Sequence, residues 1–73
     1  MNQRLSLTTK QEQVFDYVKA FTKKHTFSPT YTQIGNELTI HKATVRKHLL
    51  ALQAKGWLTF NPGESRSIII KES

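Results

Sequence analysis

The sequence predicts a small domain of the α+β class, mainly α: three helices followed by a C-terminal β-hairpin. Two kinds of observation lead there. Apolar residues recur at helical spacing in three separate segments, and two of those open on a threonine with an amide or acid side chain three residues later. After Gly56 the pattern changes to period two, the mark of strands. At 73 residues the chain is expected to be a single domain over 1–73, ordered from about residue 7 to about residue 71. A body of that size buries only roughly 60% of its unfolded surface, so the core must be small.

The first helix is expected from about residue 9 to about residue 24. Thr8 with Gln11, or Thr9 with Glu12, has the spacing at which two side chains satisfy each other's orphan amides. Val14, Phe15, Val18 and Phe21 share one face, with Glu12, Asp16, Lys19 and Lys23 elsewhere. Lys23, Lys24 and His25 lie at its C-terminal end, where the helix dipole favours cations. Pro29 then disfavours helix at Ser28, and Thr30 with Gln33 repeats the capping spacing. A short second helix from about residue 31 to about residue 38 carries Ile34 and Leu38. Gly35 inside it predicts that another helix crosses closely. After a break at Thr39-Ile40-His41, Val45, Leu49 and Leu52 define a third helix from about residue 42 to about residue 54, closed at Gly56. Trp57 to Phe60 and Ser67 to Ile70 read as strands, with residues 61–65 as the turn.

Composition narrows the function. Eleven Lys and Arg against five Asp and Glu give a net charge of +6, which points to polyanions, nucleic acid ahead of membrane surface. The absence of cysteine removes disulfides, thiolate metal sites and a cysteine nucleophile. No apolar run approaches a membrane span, and the N-terminus lacks the apolar core of a secretory signal, so a cytoplasmic protein is expected. His25, His41 and His48 lack the spacing of a helical metal pair, and there is no glycine-rich phosphate loop. No enzyme, cofactor, metal or small-molecule ligand is therefore expected.

Two helices joined by a short break after a supporting helix form a helix-turn-helix, and the hairpin that follows makes it a winged one. Charge placement sharpens that reading. Residues 41 to 55 hold Lys42, Arg46, Lys47 and Lys55 and no acid, whereas residues 1 to 40 hold five basic and three acidic residues. With Val45, Leu49 and Leu52 facing the core, Ala43, Lys47 and Leu50 face outward, flanked by Lys42, Thr44 and Arg46. Such a face can enter the major groove of double-stranded DNA. Arg and Lys donate to guanine there, and Ala or a Thr methyl can meet a thymine methyl. His41 lines this face or begins the helix. Thr30, Tyr31 and Thr32 open the second helix, where amides and hydroxyls could hold a phosphate. In the wing, Asn61, Ser65 and Arg66 are candidates for the backbone or minor groove, while Glu64 would repel it.

These residues resemble the N-terminal DNA-binding domain of the LexA repressors. The resemblance lies in Leu7-Thr8, Gln11 to Phe15, Ser28-Pro29-Thr30 with Gln33-Ile34, His48-Leu49, Leu52 to Gly56, and Ser65-Arg66 with Ile68. It implies operator binding by a dimer of bacterial, phage or plasmid origin, with the third helix in the major groove and the wing on the backbone. It also implies contacts from the His41 to Lys47 segment and from Arg66. The stretch from Leu38 to Leu49 is one residue shorter than the family pattern and reads TIHKATVRKH, so the family's operator is not carried over. The family's peptidase domain has no counterpart in this sequence. Met1 and the absence of a linker at Lys71-Glu72-Ser73 favour a standalone protein over an excised domain. No coiled coil is visible, so homodimers are expected to form on DNA. The alternative is a protein-interaction module on the same frame, for which the outward Leu50 would be the partner contact.

Overall fold

In the computed structural model, described over residues 6–64 and 66–71, the element order is α1 (Thr9–His25), α2 (Tyr31–Leu38), α3 (Lys42–Ala54), β1 (Leu58–Thr59) and β2 (Ile69–Ile70). This is a mainly helical winged helix-turn-helix, as the periodicity predicts, and each helix lies within a residue of its expected bounds.

Both threonine caps form. Thr8 Oγ1 accepts the Gln11 amide at 3.2 Å while Gln11 Oε1 accepts the Thr8 amide at 3.1 Å. Thr30 and Gln33 do the same at 3.1 and 2.9 Å. Of the two capping pairs open at the first helix, Thr8 with Gln11 is the one used. Gln11 Oε1 also accepts Lys55 Nζ at 2.6 Å, and Lys55 Nζ donates to Ser6 O at 2.9 Å. The start of α1 is thus tied to the end of α3.

The helix ends differ in kind. α3 closes with the Trp57 amide on Leu52 O and the Gly56 amide on Gln53 O, with Gly56 at φ 86°, where glycine has no side chain to clash. α1 and α2 end instead on Thr26 at φ 65° and Thr39 at φ 59°. A β-branched residue in that region costs roughly 1–2 kcal/mol, which packing on either side must offset.

The core draws on every element: Val14, Phe15 and Val18 from α1, Ile34 from α2, Val45, Leu49 and Leu52 from α3, and Leu58, Phe60 and Ile68 from the hairpin region. Trp57 meets the Phe15 ring edge-on at 5.0 Å, extending the core under the wing.

Two expectations need correction. The strands are two residues each, paired antiparallel as Leu58 with Ile70 and Thr59 with Ile69, rather than four each. Side chains take over the ladder. The Phe60 amide donates to Gln53 Oε1, the Asn61 amide to Ser67 Oγ, and the Ile68 amide to Ser28 Oγ. The other correction is one of degree at Gly35: α3 does pass within van der Waals contact, but the turn comes closer. A Cβ there would lie 2.6 Å from the Ile40 carbonyl oxygen, but 3.7 Å from Val45 Cγ2 of α3. The Ile40 amide in turn donates to Gly35 O at 2.9 Å. The turn folds back onto α2, and only glycine leaves room for it.

Candidate nucleic-acid interface

With Val45, Leu49 and Leu52 buried, α3 turns His41, Lys42, Ala43, Arg46, Lys47 and Leu50 outward, and Thr44 is half-buried at their edge. At 13 residues the helix is about 20 Å long, which suits a groove wide enough for a helix. Ala43, Thr44, Arg46, Lys47 and Leu50 line a shallow depression of about 350 Å³. His41 is the N-cap by backbone only, with no side-chain capping hydrogen bond, and it is exposed at the start of the face. Among the described residues, Lys42, Arg46 and Lys47 make no hydrogen bond or ion pair. Their charges are available to a ligand.

Lys55 is different. The sequence groups it with the other three cations, but the structure places it at the far end of α3 and engages it with Gln11 and Ser6.

The N-terminus of α2 lies beside this face. Burial raises the Tyr31 hydroxyl above its usual pKa, and the nearby Arg46 charge acts in the opposite direction. Tyr31 packs edge-on to Phe60 at 6.2 Å and points its hydroxyl at the carbonyls of Asn61 and Pro62, at 3.4 and 3.5 Å. Thr30 uses its hydroxyl oxygen in its own cap, and Thr32 is exposed. On the flank of α3, burial lowers the His48 pKa, and Lys10 and Lys47 push it down further. His48 is half-buried beside the core.

The wing tip, residues 61–64, is exposed, with the Glu64 amide closing a turn onto Asn61 O at 2.9 Å. Ser67 Oγ lies within hydrogen-bonding distance of both Asn61 O and Glu64 O, at 3.1 and 3.2 Å. Ser65 lies outside the described residues. Arg66 turns back onto the protein. Its Nη1 donates to Ser28 O at 2.9 Å and its guanidinium sits 4.6 Å from the centre of the Phe27 ring.

The structure thus gathers Tyr31, His41, Lys42, Ala43, Thr44, Arg46 and Lys47 around α3, with Asn61 reached through Tyr31. Sequence reasoning missed Phe27, Ser28 and Gln53, which build the wing's attachment. No short-range spacing announces Phe27 and Ser28, because Arg66 and Ile68 are distant in the chain, and Gln53 meets the Phe60 amide outside any helical or strand repeat. No helix among the described residues is long and apolar enough to cross a membrane.

Comparison with known proteins agrees with this geometry. The LexA DNA binding domain family model matches residues 4–67. A LexA repressor of Geotalea uraniireducens is 40% identical over 65 residues, covering 88% of this chain and 32% of that protein. One from Saccharophagus degradans is 37% identical over 68 residues, covering 92% and 34%. One from Thermosipho melanesiensis is 36% identical over 62 residues, covering 85% and 31%. The chain spans about a third of the length of these relatives.

Proposed function

This chain belongs to the LexA DNA-binding domain family, and from that premise we propose that it binds double-stranded DNA sequence-specifically as a transcriptional regulator, a repressor as its relatives are named. The observation that carries the proposal is the outer face of α3: Lys42, Arg46 and Lys47, without partners among the described residues, surround the small side chains of Ala43 and Thr44 on a helix braced from behind by three buried residues. Arg46 and Lys47 donate to base edges in the major groove, Ala43 and Thr44 allow close approach, and His41 and Lys42 meet the groove's rim. Thr32 and the first-turn amides of α2 approach a phosphate beside Tyr31. The wing, residues 61–66, lies along the backbone or minor groove.

One short helix and one wing offer limited affinity, so two copies on a pseudo-palindromic site complete the reading. Leu50, 41% exposed at the edge of the face, is the candidate contact between copies. The reading places the protein in the cytoplasm, acting by binding alone.

Selection of bound sequences from a random duplex library tests it. A defined motif with dyad symmetry is the expected result, with log affinity falling against log salt at a slope of about −0.9 per phosphate contacted. Equal recovery of all sequences would remove specificity, and a motif without symmetry would remove the pair. Leu50→Glu that leaves cooperativity unchanged would remove the proposed contact.

A further inference from the structure

We propose that Arg66 is a positioning residue that fastens the wing to the segment entering α2, and not one of the groups that touch DNA. The inference rests on the DNA-binding reading, because it concerns how the wing is held for that task.

The attachment has two parts, both ending on the same short segment. From Arg66, Nη1 donates to Ser28 O at 2.9 Å while the planar guanidinium covers the Phe27 ring at 4.6 Å. From two residues further on, the Ile68 amide donates to Ser28 Oγ at 3.3 Å, with Ser28 only 3% exposed. Ser28 is thus held on both carbonyl and hydroxyl, and Phe27 on its ring, by the strand side of the wing. Arg66 also holds φ at 58°, a left-handed conformation that a residue with a Cβ adopts at a cost. Such a conformation persists where surrounding contacts hold it, and among the described residues Arg66 contacts Phe27 and Ser28.

This geometry uses what distinguishes arginine from lysine. A flat, weakly hydrated guanidinium can lie on an aromatic ring while one edge donates in plane, a fit that a compact, strongly hydrated ammonium meets less well. A phosphate contact makes no such demand, since a lysine supplies the same charge. Phe27 explains itself in the same way. It is 46% exposed, a large apolar ring at the surface that the Phe21 and His25 rings meet at 5.8 and 5.7 Å and the Arg66 guanidinium meets at 4.6 Å.

The test uses the full chain and the duplex recovered by selection. Affinity against salt and hydroxyl-radical footprints are measured for Arg66→Lys, Arg66→Ala, Phe27→Ala and Phe27→Tyr. A positioning role predicts that Arg66→Lys, Arg66→Ala and Phe27→Ala all lose the protections flanking the α3 footprint. Each should also weaken binding by a similar factor, about tenfold, with the central protections retained. Phe27→Tyr, which keeps a ring under the guanidinium, should restore both. Should Phe27→Ala fail to fold, Phe27→Leu keeps the bulk without the π face and carries the same expectation. The proposal is overturned if Arg66→Lys keeps wild-type affinity and footprint while Arg66→Ala alone lowers the salt slope by about 0.9, because the charge then meets a phosphate directly. A wild-type chain that protects no duplex overturns the DNA-binding reading instead, which no variant pattern can mimic.

Discussion

The outer face of α3 and the wing both present polar side chains at the surface, but they differ in what those side chains are already doing. On α3, Lys42, Arg46 and Lys47 stand on a helix whose inner side is fully buried, and they have no partner among the described residues. In the wing, the Asn61 amide, Ser67 and Arg66 are engaged with the wing itself or with Ser28 and Phe27. The helix needs nothing from its outer residues, because its backbone is satisfied internally and its position is set by Val45, Leu49 and Leu52. A hairpin with two-residue strands has too short a ladder to hold itself, so its side chains are used for attachment. Rigid backbone leaves side chains for a ligand; weak backbone consumes them.

The largest effect should come from the free face. Arg46→Ala and Lys47→Ala are each expected to lose roughly 1–3 kcal/mol of duplex affinity where they read a base edge, with little change in denaturation midpoint. Titration of the selected duplex measures this, and wild-type affinity after both changes would break the contrast. Next comes the joint that aims α3. Gly35→Ala puts a methyl 2.6 Å from the Ile40 carbonyl oxygen, so the gain in helix propensity is outweighed. A loss of about 1–3 kcal/mol in urea-induced unfolding is expected, and a neutral or stabilising result would show that the turn can give way. A smaller effect distinguishes the two ends of α3. Lys55→Met should lower stability by about 0.5–1 kcal/mol and leave the salt slope of binding unchanged. Lys47→Ala should do the reverse, weakening duplex affinity and sparing stability. If Lys55 instead moves the slope, its charge belongs with the binding face. The smallest is a pH effect at His48. Its folded pKa lies below the ordinary 6.5, so both states are neutral above that pH and the unfolded chain takes up the proton first below it. Stability should therefore fall as pH drops from about 6.5 through the folded pKa, then level off. His48→Gln should flatten that part of a pH series of melting temperatures, and an unchanged curve would assign the loss to another group.

What could be read in advance divides along the same line. Both capping boxes, the three helix spans and the outward set on α3 follow from three- and four-residue spacings, so they were visible in the sequence. Thr8 and Thr9 offered equal spacing, and the choice between them goes with Lys55, 44 residues from Gln11. Arg66 and Ser28 are 38 residues apart, and nothing local to either shows that one holds the other. The same holds for the strands. Their apolar alternation suggested four residues each, but Gln53, Ser28 and Ser67 intercept the amides that a longer ladder would have used. The left-handed turns at Thr26 and Thr39 occur where glycine would be expected, so composition gave no sign of them.

The shared acceptor at Gln11 bears on how the molecule breathes. The first turn of a helix is ordinarily the part that frays, and its amides exchange with solvent through small local openings. Here the oxygen that holds the Thr8 amide also holds the ammonium at the end of α3. Freeing that first turn means releasing the Lys55 ammonium at the same moment, which couples the opening of α1 to the side chain that closes α3. The Thr8 amide should accordingly exchange more slowly than in a Lys55→Met chain, making this end of α1 a reporter of that joint opening.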